Sequence, residues 1–476
     1  MNMPHTSLCL AHVPLSIRLV QEMGRIRNNI TPALLQKTRI HIADSIGIAL
    51  AARKQSDIAG NILCAQRLIG GAGNSRVFGG GSLSVASAAF MNSSLIHILD
   101  YDDIYDMGRL HPTVVTLAAA LAAQSVNQAS DEVLTQAVLL GNELICRLGK
   151  VFAPQGNGPG SDWFLTQLFG YIAATYAAAT VLDLSEEQTV SAIGLAYMQT
   201  AGGKQAGFGI GSNARAIYPA FAAQAGIQSA LLARSGMIGP SGALDGDAGL
   251  LRIYLGLESD DPRIEQLYDH NQWTIQEVEV KPWPACRLSH PYVSLASQCR
   301  DHFSGRVDDL KFKITINASA AKLCRPLDQR RTPSTLQDAK YSIPFMTAFT
   351  LAHGEPTLNN LNEASLTDDL TLSLARRIDI SEDLPDAPGH PPATLEAISS
   401  DGSGSILFKF DPQHLFTSEQ GARKKFFDCL SACDLGSLHE SVWEHLMHSR
   451  VTEALDEIDA SSSLRLSDTK SSQTSI

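Results

Sequence analysis

The chain has 476 residues, with 37 Lys and Arg against 49 Asp and Glu, a formal net charge of −12, and 44% hydrophobic and 18% charged residues. This is the composition of a soluble globular protein with apolar surface for a large core and length for more than one domain. An acidic chain without a basic stripe is a poor partner for nucleic acid, whose phosphates need clustered Lys and Arg, and an anionic ligand would need a local positive pocket against the overall field.

The opening MNMPHTSLCLAHVPLSIRLVQEMG has no charged n-region and no continuous apolar h-region, so it does not read as a signal peptide. The following half is Ala-rich with helical period, and Ala both favours helix and lets helices approach closely. Helices are predicted over 32–52, 85–99, 113–127, 131–148, 167–182, 186–200 and 221–234, separated by turns such as GNGPGSD and RSGMIGPSGALDG. The longest apolar run, LFGYIAATYAAATVL, falls short of the roughly 20 residues a membrane span needs and reads as a buried helix. A cytoplasmic protein without a membrane partner is expected.

Near Trp273 the texture changes. EVEVKPWP and DDLKFKITIN alternate as strands do, ARRIDIS is a further short strand, and ATLEAISSDGSGSILFKFDP reads as a hairpin with Asp401-Gly402 in its connection. YSIPFMTAFTLAHG and LNEASLTDDLTLSLARR look helical between them. The expected organisation is a mainly α protein: a helical domain over 1–271, a smaller α+β domain over 272–413, C-terminal helices over 414–457 packing back on the first domain, and a Ser/Thr-rich tail over 458–476 with little to bury. The eight cysteines form no C-x-x-C pair and no zinc-type spacing, so free thiols in a reducing compartment and no metal are expected.

Three stretches carry candidate chemistry. HILDYDDIYDMGRLHP, 97–112, crowds Asp100, Asp102 and Asp103 between apolar flanks, and such carboxylates repel one another unless cations or donors answer them. His111 precedes a proline suited to a first helical turn, where a helix N-terminus would keep the imidazole neutral, as a base requires. The plainer alternative is a set of capping aspartates and a surface histidine. GSNARAIYPAFAAQAG, 211–226, offers Arg215, a planar fork for a carboxylate, and Tyr218. KPWPACRLSHP, 281–291, offers Lys281, Cys286 and His290 on a proline-stiffened backbone. The Gly-rich GGAGNSRVFGGG lacks phosphate-loop spacing, and no nucleophile elbow is present.

These stretches, in this order, together with ADSIGIALAA and DAKYSIPFMTAF, resemble the MmgE/PrpD family over about 30–457. That family includes 2-methylcitrate dehydratase, cis-aconitate decarboxylase and iminodisuccinate epimerase. The resemblance implies a helical domain with an α+β lid domain, a homodimer, and cofactor-independent chemistry beside carboxylates. Carried over residue by residue, the family's aspartate looks like Asp100, its histidine before proline like His111, its lysine of K-x-x-P like Lys281, and a later histidine like His290. Cys286 stands where a second histidine is common. The chain departs from the pattern at Phe164 (a histidine position), at Arg215 and Tyr218 (a Lys-x-x-His pair), and at Ile104 (a small hydroxyl residue). Phe164 and Ile104 would enlarge the apolar share of a pocket and suit a longer alkyl group. The expectation is a dehydratase of a 2-alkylcitrate, with His111, Asp100 and Tyr218 as acid–base groups and Arg215 and Lys281 holding carboxylates. An aconitate-type decarboxylase, an epimerase acting beside a carboxylate, and an inactive binding protein are the alternatives.

Overall fold

The structure, a computed structural model, describes residues 13–154, 160–208, 210–269, 272–387, 389–399, 401, 404–415 and 417–461. The expected tail from 462 onward, Gly402 of the hairpin connection and most of the GNGPGSD turn lie outside the described residues.

The first domain is a stack of helices around Leu165–Val181, whose positions are almost all buried. Helices Thr113–Asn127, Asp131–Phe152, Glu186–Tyr197 and Tyr218–Arg234 pack directly on it. Small residues set the spacing: a Cβ on Gly226 would come within 2.8 Å of Ala174 and Thr175 backbone, so only glycine lets the helices Tyr218–Arg234 and Leu165–Val181 come this close. The seven predicted helices are all present, with ends shifted by a few residues. No helix among the described residues is long and apolar enough to cross a membrane.

The smaller domain is a four-stranded sheet. Leu310–Asn317 pairs parallel with Ile378–Leu384 and antiparallel with Thr394–Ser399, which pairs antiparallel with Ser405–Lys409. Alternation along Leu310–Asn317 buries Leu310, Phe312, Ile314 and Ile316 in a core with Tyr292 and Leu295 of His290–His302 and with Ile343 and Leu351 of Ile343–His353. The chain then returns. Helix Glu419–Ser431 packs on Pro32–Gln55 so closely that a Cβ on Gly47 would lie 2.8 Å from the Phe426 ring. At that contact Lys425 Nζ pairs with buried Asp44 at 2.8 Å.

Three expectations are corrected. EVEVKPWP forms no strand: Glu279 makes one two-way bridge with Ile104, and Pro282 and Pro284 cannot donate to extend a ladder. LNEASLTDDLTLSLARR is helical mainly over Asp369–Arg376, because the Asp368 side chain accepts from Thr371 N–H and starts the helix there. The last amphipathic stretch is two helices, His439–Met447 and Val451–Ser461, broken where Ser449 takes φ 52°. Residues 458–461 are thus helical rather than part of a tail.

Candidate active site

A cavity of about 220 Å³ opens at the seam between the two domains. The helical domain contributes His97, Asp100, Ile104, His111, Phe164, Arg215 and Tyr218; the smaller domain and its lead-in contribute Cys286, Arg287, Leu323 and Tyr341.

Each aspartate of HILDYDDIYDMGRLHP has its own answer. Asp100 Oδ1 pairs with Lys281 Nζ at 2.5 Å. Asp102 Oδ2 accepts from His97 Nδ1 at 2.8 Å. Asp103 accepts from the Thr113 hydroxyl at 2.5 Å and caps the helix that follows. Asp106 takes a two-point contact from Arg287, Nε to Oδ1 at 2.9 Å and Nη2 to Oδ2 at 2.6 Å. Asp103 is therefore a cap, as the plainer reading had it, and the others belong to the cavity and its wall. Burial alone would raise the Asp100 carboxyl, but Lys281, with His97 and His111, outweighs it and holds the group well below the usual carboxylate range.

Three successive carbonyls at this corner each accept from a buried lysine. Lys340 Nζ donates to Leu99 O at 3.1 Å, Lys281 Nζ to Asp100 O at 3.0 Å, and Lys425 Nζ to Tyr101 O at 2.7 Å. Asp100 sits at φ 50°, a left-handed conformation uncommon outside glycine. The lysines come from far along the chain, two from the smaller domain and its lead-in and one from the returning helix Glu419–Ser431, and together they fasten that corner. Burial lowers Lys340 to about 8, with Asp100 opposing.

His111 stands where the next helix begins. Its N–H donates to Thr166 Oγ1 at 2.9 Å, and its Nδ1–H donates to Asp103 O at 2.7 Å. That leaves Nε2, with its lone pair, for the cavity the ring lines. Burial lowers its pKa to about 4, with Asp102 opposing and Lys281 reinforcing. The shift runs in the expected direction, with burial rather than the helix end as its leading cause. Behind His111 the His97 ring lies edge-on at 5.1 Å, and its Nε2 is buried with no hydrogen-bond partner among the described residues. His97, Asp102 and His111 each offer a ligand atom within 4.8 Å of the others, so among the described residues they are the group that could hold a metal ion. In this arrangement those atoms are engaged with one another and with Asp103 O.

The depressed His111 value sets a pH dependence. The unfolded chain, with an ordinary histidine near 6.5, binds more protons than the folded one between about 6.5 and 4. Stability from this group therefore falls as pH falls through that window. Urea denaturation at pH 7 and pH 5 should show a larger loss for the parent than for His111→Gln; equal losses would contradict the neutral imidazole.

The opposite wall is aromatic and cationic. Phe164 stacks on Tyr218 at 4.2 Å and 16°, and Tyr218 meets the His97 ring edge-on at 4.9 Å. Burial raises the Tyr218 phenol, so it stays a protonated donor. The Arg215 guanidinium lies 3.3 Å over the Tyr341 ring, donates to Gly207 O at 2.9 Å and reaches Cys286 Sγ at 3.7 Å. Burial raises the Cys286 thiol, so it remains a thiol against the Arg215 cation.

Of the residues singled out in the sequence, His111, Asp100, Tyr218, Arg215, Cys286, Phe164 and Ile104 line the cavity. Lys281 and His290 do not: both are fully buried behind its wall. Lys281 is engaged with Asp100, and His290 Nε2 with Ala285 O at 3.0 Å. Lys281 thus holds the aspartate in place of a substrate carboxylate, and His290 backs Arg287 at 3.5 Å. The cation facing the cavity from KPWPACRLSHP is Arg287, one residue past Cys286. His97, Tyr341 and Lys204 were also missed. His97 and Tyr341 lie inside quoted motifs, and Lys204 stands alone after Gly202-Gly203.

Comparison with known proteins accords with this layout. The MmgE/PrpD N-terminal domain profile matches residues 25–262 and the MmgE/PrpD C-terminal domain profile matches residues 283–396. A cis-aconitate decarboxylase-like protein, oryM, of Aspergillus oryzae is 26% identical over 64% of this chain and 66% of its own length. A cis-aconitate decarboxylase of Aspergillus terreus is 26% identical over 50% and 49%, and one of Homo sapiens is 24% identical over 62% and 60%. The chain thus spans between about half and two thirds of the length of the curated relatives it matches.

Proposed function

The chain belongs to the MmgE/PrpD family, and on that footing we propose that it is a lyase that removes water from a 2-alkyl-substituted citrate without a cofactor. The observation that carries this reading is the pairing of a neutral imidazole, His111, with a neutral phenol, Tyr218, in one cavity that also holds Arg215 and Arg287. The base comes uncharged and the acid comes protonated, the states in which an elimination starts.

In this reading the substrate carboxylates lie against Arg215 and Arg287. His111 Nε2 takes the proton from the carbon beside a carboxylate. The electron pair of that C–H bond forms the double bond, and the C–O bond to the hydroxyl breaks. The Tyr218 phenol gives its proton to the departing hydroxyl, which leaves as water. The imidazolium then returns its proton to the phenolate. Asp102, 3.5 Å from His111 Nδ1, stabilises the imidazolium while it lasts. Asp100, fixed by Lys281, contributes negative charge on the same side.

Phe164 and Ile104 supply an apolar wall for the alkyl group. At about 0.8 kcal/mol per buried CH₂, each added methylene should raise kcat/KM roughly fourfold until the wall is filled. Rates across 2-methyl-, 2-propyl- and 2-hexylcitrate check this, and a rate that falls from methyl upward would count against it. A second reading is decarboxylation of an aconitate-type acid, favoured by what the relatives are named for. It needs the same cations, but its acid must protonate carbon as CO₂ leaves, for which a histidine at about 4 is poorly charged. The resemblance also implies a homodimer, for which light scattering should give twice the 51.1 kDa chain mass.

A further inference from the structure

The acid–base reading uses Nε2 of His111; on the Nδ1 side of the same ring lie Asp102 and His97. Asp102 Oδ2 sits between the two rings, 2.8 Å from His97 Nδ1 and 3.5 Å from His111 Nδ1. The three residues offer ligand atoms that all lie within 4.8 Å of one another. Zinc bonds histidine nitrogen and carboxylate oxygen at about 2.0–2.1 Å in tetrahedral geometry, which sets neighbouring ligand atoms about 3.3 Å apart. The two distances from Asp102 bracket that spacing. Two atoms of the group are also unused: Asp102 Oδ1 and His97 Nε2 are buried with no hydrogen-bond partner among the described residues, where buried polar atoms ordinarily have one. Asp100 is already paired with Lys281, so Asp102 is the carboxylate that answers a cation here. The way in is the cavity, which His97 and His111 both line.

We propose that His97, Asp102 and His111 form an inhibitory site for a zinc-type divalent cation, held by His97 Nδ1, Asp102 Oδ2 and His111 Nδ1. Two imidazoles and one carboxylate suit such an ion, whereas magnesium prefers an octahedral set of oxygens. The ion takes the place of two protons. His97 Nδ1 gives up its hydrogen bond to Asp102, and His111 Nδ1 gives up its bond to Asp103 O. Each proton passes to Nε2 of its own ring, so none is lost and nothing is oxidised or reduced. In His111 that shift puts a hydrogen on the nitrogen left for the cavity and removes the lone pair with which it acts as a base. Bound zinc and base catalysis at His111 therefore exclude each other. A fourth position remains for water or a carboxylate oxygen. The binding stands on the three residues alone; the inhibition rests on the acid–base reading above.

The test is calorimetric titration of the full chain with zinc chloride in a non-chelating buffer free of added thiol. The variants are Asp102→Asn, His111→Gln and His445→Gln. His445 has Glu453 and Glu457 beside it and stands for adventitious binding at the surface. Zinc affinity should fall at least about tenfold in Asp102→Asn and in His111→Gln and stay unchanged in His445→Gln. His111→Gln decides the matter if Asp102→Asn does not fold, because the backbone bond from His111 N–H to Thr166 does not need the ring. Failure of the parent to bind zinc, or binding that His111→Gln keeps in full, would overturn the site. Binding lost only in His445→Gln would identify an adventitious ion and overturn it as well. Turnover of a 2-alkylcitrate with and without zinc separates the two claims. Zinc bound at these residues with turnover unchanged would uphold the binding site and overturn both its inhibitory role and His111 as the base.

Discussion

Under the proposed reading, His111→Ala is expected to lower kcat/KM by at least about 100-fold while the chain remains folded. Positioned proton transfer contributes typically about 10²–10⁴-fold, and no other neutral imidazole base lines this cavity with so free a nitrogen. His97 is its neighbour, but His97 Nδ1 is tied to Asp102 and its Nε2 is walled in. The fold should survive because the backbone bond from His111 N–H to Thr166 does not need the ring, and the side chain is 13% exposed. The check is steady-state kinetics of parent and variant with circular dichroism of both. A loss below tenfold in a folded variant would remove His111 from the chemistry and turn attention to His97.

Lys281→Met is expected to destabilise the chain by about 3–5 kcal/mol, the usual cost of leaving one partner of a buried pair uncompensated. The pair is enclosed, with Lys281 and Asp100 side chains 0% and 3% exposed. The change removes both the ion pair and the donor to Asp100 O. With that bond gone, Leu99 and Tyr101 keep their lysines but the left-handed residue between them loses its own. Adding Asp100→Asn to Lys281→Met should recover most of the stability, because the stranded charge goes with it, yet activity should not return. Urea midpoints of the two variants measure this. A single variant as stable as the parent would mean that the corner is held by Lys340 and Lys425 alone.

The seven main helices were legible because helical period and alanine content persist over ten or more residues, and the strand Leu310–Asn317 because alternation does. The 277–284 segment misled because β-branched alternation carries no mark of what it pairs with; the two prolines were the signal against a ladder. The site was legible as a set of stretches but not as contacts. Asp100 and Lys281 are 181 positions apart, and nothing local says that Lys281 is spent on an aspartate while Arg287 faces the cavity. The crowding of Asp100, Asp102 and Asp103 did predict partners, and each has one, but only the fold assigns them. Lys204 had no motif around it, and its place depends on a loop brought against Arg109 and Ser161.

The most direct test of the account is the mass of the product formed from a 2-alkylcitrate by the purified chain, with the His111→Ala variant as control. The account predicts loss of about 18 mass units, one water, in the parent and not in the variant. Loss of about 44 units from an aconitate-type acid, with the 2-alkylcitrate untouched, would contradict it and establish decarboxylation instead.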